Sequence, residues 1–108
     1  METINFEEFK KVELKIVKIV EAEKVEGSEK LLKLKVDFGI EQKQIIAGIG
    51  KYYAPENLIG KEIAIVANLK PRMLMGLESQ GMVLAAGGEN GPVLLFPEKE
   101  VLPGAAIG

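Results

Sequence analysis

The chain has 108 residues, 47% of them apolar and 28% charged, with a formal net charge of −2; this is the balance of a single globular domain, residues 1–108, with one core. It has no cysteine and no histidine, which excludes disulfides, thiolate metal sites and the usual serine triad, and removes the commonest general base. No run approaches the ~20 apolar residues of a membrane span, and METINFEEFKK carries acidic residues in place of an apolar export core, so a cytoplasmic location away from membranes is expected.

Asn5-Phe6-Glu7-Glu8 reads as a helix start. Asn5 can cap, Glu8 stands three residues on, and Glu7 suits the positive end of the helix dipole. The helix ends near Lys11, with Phe6 and Phe9 on one face that is expected to pack on the core. Val12, Leu14 and Ile16 then alternate with Glu13 and Lys15, the period of a half-buried strand. The phase slips after Ile16, because Val17 and Ile19 now alternate with Lys18. A slipped phase in one long strand predicts a bulge or a sharp bend.

Val25–Lys30 is a turn. Leu32, Leu34, Val36 and Phe38 alternate with Lys33, Lys35 and Asp37 as a second strand, ended by Gly39, and Gln44–Ala47 is a third. Lys51–Gly60 contains Pro55-Glu56-Asn57-Leu58 and reads as a short helix or turn. Glu62–Ala67 and Met82–Ala86 are the fourth and fifth strands, with a long loop between them. Gly87–Gly91 is a turn into Val93–Phe96, and Val101–Gly108 is apolar but irregular. Strands at this spacing predict a small all-β barrel. The length and the helix after strand three suit a five-stranded oligonucleotide-binding (OB) barrel with short peripheral helices and an appended C-terminal segment. A small sandwich also fits the periodicity.

The residues offer little for bond-breaking chemistry. Gly48 and Gly50-Lys51 fail the spacing of a phosphate-binding loop, since Lys51 is followed by Tyr52. Those glycines are better explained by a tight turn, although Lys51 can still reach a phosphate. Ser28 and Ser79 have no histidine partner, and no carboxylates are paired as acid and base. No catalytic set, metal site or cofactor is expected.

Binding chemistry is easier to find. A long loop in so short a chain is more often functional than incidental. This one carries Asn68, Lys70, Pro71 and Arg72 at its start and Ser79 and Gln80 at its end. Lys30, Lys33 and Lys35 stand on or beside the exposed face of strand two. Ligands of such barrels commonly meet that face and the loops after strands one and four. Lysine would act as a mobile point charge to phosphate, and arginine as a planar fork. Asn68, Ser79 and Gln80 can hydrogen-bond ribose or base edges. A mixed solvated surface accounts for the lysines equally well. Met73, Leu74, Met75 and Leu77 either fold back on the core or offer a flexible apolar surface to a partner.

Four segments cover nearly the whole chain in order: FKKVELKIVKIVEAEKVEGSEKLLKLKVDFG, IIAGIGKYYAPENLIGK, VANLKPRMLMGLESQGMVLAA and LPGAAIG. On these the chain resembles the tRNA-binding domain found at the C-terminus of methionyl-tRNA synthetases and as free-standing tRNA-binding proteins. Asn68, Lys70, Pro71 and Arg72 match the family's loop opening, Ser79, Gly81 and Met82 its close, and Ser28, Lys30 and Leu31 the turn after strand one. Met73 stands where relatives commonly carry a basic residue, which removes one phosphate contact. The resemblance implies tRNA bound by shape at its outer corner, without sequence readout, by an accessory module of the synthetase that is not itself catalytic. It also implies a homodimer whose surface comes from the N-terminal helix and C-terminal segment, here Phe6, Phe9, Val101, Leu102 and Ile107. A dimeric, export-associated peptide-binding chaperone shares the fold and is the alternative.

Overall fold

A computed structural model describes residues 1–108. One antiparallel sheet in the order β3-β2-β1-β4-β7 curls into a nearly closed five-stranded barrel. Its strands are β1 (Leu14–Lys24), β2 (Leu32–Asp37), β3 (Gln42–Ala47), β4 (Glu62–Val66) and β7 (Met82–Val83). The first four fall where the apolar alternation places them. Val17, Ile19, Leu34, Ile45, Ile63 and Ile65 point into the barrel and are fully buried, each contributing about 1.5–3 kcal/mol of transfer free energy. A single 3-10 turn, Pro55–Asn57, delivers Leu58 into the same core.

β1 is long because it serves two partners in succession. Residues Leu14–Lys18 pair with β4, and Lys18–Lys24 pair with β2. The phase change expected after Ile16 lies three residues later, at Val20, where the register with β2 shifts between Ile19 and Glu21. The bulge turns the inward side from Val17 and Ile19 to Ala22, which pairs with Leu34 and packs on the core.

The segment read as a long loop is a β-hairpin. β5 (Arg72–Leu74) pairs with β6 (Leu77–Ser79) through a two-residue turn, Met75-Gly76. Both turn residues have positive φ, 49° and 78°, the requirement of a type I′ turn. Leu74 and Leu77 pack on Val25, Leu31 and Ile46, while Met73 and Met75 are exposed. The four apolar residues thus divide evenly between core and surface.

The tail is also more regular than its sequence. β8 (Ala85–Gly88) and β9 (Gly91–Leu94) form a second hairpin, and β10 (Ala105–Ile107) pairs with Leu14–Ile16 of β1. β10 occupies the edge of β1 that β2 has not yet reached. The segment leading to it is fixed by the buried carboxylate of Glu62, whose Oε1 accepts a hydrogen bond from Val101 N at 2.9 Å.

The N-terminal helix α1 (Phe6–Phe9) forms as expected, with Asn5 Oδ1 accepting from Glu8 N at 2.8 Å. Its packing does not. Phe6 is 68% exposed and Phe9 41%, so neither joins the core. A helix of one turn has no second turn with which to clamp an apolar face against the barrel.

Candidate nucleic-acid interface

The β5–β6 hairpin lies along the free edge of β3 and closes the barrel there. Gln80 N donates to Gln44 O at 2.8 Å, and Gln80 Oε1 accepts from Gln44 N at 3.0 Å. Ser79 Oγ accepts from Ile46 N at 2.9 Å and donates to Gly81 O at 3.1 Å. Side-chain oxygens therefore stand in for the carbonyls of a missing strand. Gly81 suits this closure: a Cβ there would stand 3.2 Å from Val66 O and 3.1 Å from Ile45 Cδ1, tight enough that the neighbours would have to shift by a few tenths of an ångström.

At its tip the hairpin reaches the β1–β2 turn, where Met75 Cε would lie 3.5 Å from a Cβ on Gly27. Ser28 Oγ accepts from Leu31 N at 3.1 Å and sets that turn's shape. Gly50 N donates to Lys30 O at 2.7 Å, which makes Lys30 and Lys51 neighbours. At the other end, Lys70 shares a groove of about 600 Å³ with Lys15, Lys43, Asn68 and Gln80. Arg72 opens β5 opposite Ser79.

The residues expected to meet RNA therefore separate into three groups. Lys30, Lys51, Lys70 and Arg72 are exposed and have no carboxylate partner. They are not gathered in one place: Lys30 and Lys51 stand where the β1–β2 turn meets Gly50, and Lys70 and Arg72 at the start of the hairpin. Lys33 is neutralised by Glu23, with Nζ–Oε1 at 2.7 Å, and Lys35 by Glu21 at 3.1 Å. Met82 is 46% exposed on β7.

The polar residues are used by the fold. Ser79 is 3% exposed, and its hydroxyl is occupied as donor and acceptor, so it cannot reach a ribose. Asn68 Oδ1 accepts from Glu13 N at 2.9 Å, and its Nδ2 donates to Lys11 O at 2.6 Å, tying the β4–β5 connection to the residues before β1. Gln80 retains a free amide, but its carbonyl is fixed on β3. Sequence reasoning passed over Lys15, which the fold brings beside Lys70; Lys43 lines the same groove but is paired with Glu41 at 3.5 Å. The alternation of β1 and β2 already turned Lys15 outward; only the register of β3 placed Lys43 near it.

Comparison with known proteins bears on this geometry. Residues 14–106 match the family described as Putative tRNA binding domain. The chain belongs to this family of tRNA-binding domains. A methionine–tRNA ligase from Caldanaerobacter subterraneus subsp. tengcongensis is 57% identical over 104 residues, covering 96% of the chain and 16% of the relative. The chain thus spans about one sixth of the curated relatives it matches. Among solved structures, a MetRS related protein from Pyrococcus horikoshii superimposes with a TM-score of 0.93 at 41% identity, covering all of both chains. The chaperone CsaA from Bacillus anthracis str. Ames gives 0.89 at 35% identity, covering 99% of this chain and 100% of that one. The family match thus spans the barrel strands, the hairpin and β10 as far as Ala106.

Proposed function

We propose that this chain binds tRNA by shape, holding the outer corner of the folded molecule through its backbone, as an accessory module for the catalytic part of a methionyl-tRNA synthetase. The observation that carries the reading is the family match over residues 14–106, in a fold that leaves Lys30, Lys51, Lys70 and Arg72 exposed and without a carboxylate partner. The deep major groove of A-form RNA hides base edges and leaves phosphates and 2′-hydroxyls for contact. Separated cations suit a bent, bulky ligand better than a single extended strand. In titrations at about 50 and about 200 mM salt, tRNA binds more tightly than duplex RNA or single-stranded DNA and weakens steeply with salt. Equal affinity for all three nucleic acids would overturn shape readout.

The same reading includes a homodimer. Phe6 and Phe9 in α1, and Leu102 and Ile107 in the C-terminal segment, are exposed apolar side chains, and Val101 is half-buried. Such a surface is characteristic of an interface, and two linked copies raise the effective concentration of modest sites. Sedimentation velocity is expected to give twice the 11.8 kDa chain mass; a monomer at about 100 μM would refute this, because an interface of ordinary size holds well below that concentration.

The likeness to CsaA, together with exposed Met73 and Met75, favours a second reading as a peptide-binding chaperone. Suppression of the aggregation of a model substrate, with no salt-sensitive tRNA binding, would select it.

A further inference from the structure

Tyr52 is one of two tyrosines in the chain, and the two are used in opposite ways. Tyr53 is spent on the fold: its hydroxyl donates to Pro92 O at 3.3 Å and accepts from Leu94 N at 3.1 Å, fixing β9. Tyr52 forms no hydrogen bond of this kind and is 55% exposed. Yet its ring is firmly backed. A Cβ built on Gly91 would stand 2.6 Å from ring carbon Cδ1 and 2.7 Å from Cζ, and slightly nearer to Cε1 between them. Three consecutive ring atoms at near-equal distance place Gly91 over the ring face; a position in the ring plane would leave the two outer carbons much farther than the middle one. Gly91 has φ 110°, so a side chain there is disfavoured on two counts, and the backbone forms the bed of the ring.

One face of Tyr52 therefore rests on the β8–β9 turn. The ring borders two grooves, one containing Gly91 and the other, of about 640 Å³, lined by Lys24, Lys51, Ala22, Ile59 and the carboxylates Glu23 and Glu56. Gly91 lines the first groove and not the second. Lys24 and Lys51 have no carboxylate partner, whereas Glu23 is held by Lys33. Lys30 is adjacent through its hydrogen bond to Gly50. A rigid, single-faced aromatic platform between mobile cations is the arrangement that stacks an unpaired base while neutralising its flanking phosphates.

We propose that the open face of Tyr52 stacks on an unpaired nucleobase of the bound RNA, with Lys24 and Lys51 on the adjoining phosphates. This rests on the tRNA-binding reading and adds to it: recognition includes one exposed base, tolerant of its identity because every base has a π face. Backbone contact alone would treat tRNA and duplex RNA alike at this position; a stacking platform distinguishes an RNA that has unstacked bases from one that has none.

The test compares the wild-type chain with Tyr52→Phe, Tyr52→Leu and Tyr52→Ala in titrations against unfractionated tRNA and against a fully paired duplex RNA. Tyr52→Phe keeps the platform and binds tRNA within about twofold of wild type, while Tyr52→Leu and Tyr52→Ala lose about tenfold. Duplex RNA binds all four proteins alike. Leucine still covers Gly91, so its loss of affinity separates stacking from displacement of the β8–β9 turn. In NMR spectra the Tyr52 ring protons, assigned by their absence in Tyr52→Phe, move upfield when tRNA is added. Unchanged tRNA affinity in Tyr52→Leu, or equal losses for tRNA and duplex, would overturn the platform while leaving tRNA binding intact. Failure of the wild-type chain to bind tRNA at all would instead remove the reading beneath it.

Discussion

Replacing Lys30, Lys51, Lys70 and Arg72 together by alanine is expected to lower tRNA affinity roughly a hundredfold at about 0.1 M salt, at ~0.7 kcal/mol for each exposed charge pair lost. The dependence of log K on log salt should flatten by about three to four units, since each neutralised phosphate contributes just under one. Arg72→Ala alone should flatten it by about one. All tRNAs should lose affinity together, because none of the four side chains has a fixed partner that would orient it toward one base. Lys33→Ala supplies the contrast. Its ammonium is already held 2.7 Å from Glu23, so its removal changes tRNA affinity by less than about twofold. Thermal melting should be unaltered in the quadruple variant, as every replaced group is exposed and unpaired. A selective loss for one tRNA species would mean that sequence is read after all.

The largest stability effect is expected at Gly104. Its φ is 92°, and a Cβ there would overlap the carbonyl oxygen of Phe38. Its N–H donates to Ile16 O at 2.7 Å, so the residue can neither move away nor accept a side chain. Gly39, φ 95°, faces it from the β2–β3 turn, with its own would-be Cβ 2.5 Å from Pro103 O. Gly104→Ala should therefore cost about 2–4 kcal/mol, a fall in melting temperature of roughly 10–25 °C for a domain of this size. Gly48 has negative or extended φ and nothing within 4 Å of a Cβ, so Gly48→Ala is the matched control and should melt within a few degrees of wild type. Equal melting of the two variants would show that β10 is not held as described.

The elements that the sequence makes legible are those whose order is local. Alternation along β2 and β4 reads directly as burial, and Asn5 caps α1 as its chemistry requires. What stays hidden depends on neighbours far along the chain. The β5–β6 hairpin lacks the usual Asn-Gly turn, and Met75 at positive φ is not a signal any local rule would choose. It is stable because Leu74 and Leu77 find Val25, Leu31 and Ile46. β10 is invisible for the same reason: Ala105, Ala106 and Ile107 become a strand because β1 has a vacant edge.

The site follows the same division. Charge type and exposure were readable for Lys30, Lys51, Lys70 and Arg72. Pairing was not, because the Glu23–Lys33 contact exists only through the register of β1 with β2. Ser79 and Gln80 carried the chemistry of a ligand contact, and the fold uses that chemistry on the backbone of β3 instead. Removing Ser79 Oγ would leave a buried amide unsatisfied at about 1–3 kcal/mol, which is reason enough for a hydroxyl there without any RNA.

The pairing of Leu14 with Ile107 imposes an order on biosynthesis. β1 is synthesised well before β10, so its Leu14–Ile16 edge must wait, uncovered, until Ala105–Ile107 has emerged. Such long-range closure is a slow step in folding, and an uncovered strand edge is an invitation to intermolecular pairing. Termination between Leu94 and Ala105 therefore yields a product with every barrel strand present but the Leu14–Ile16 edge open, prone to stick to its siblings.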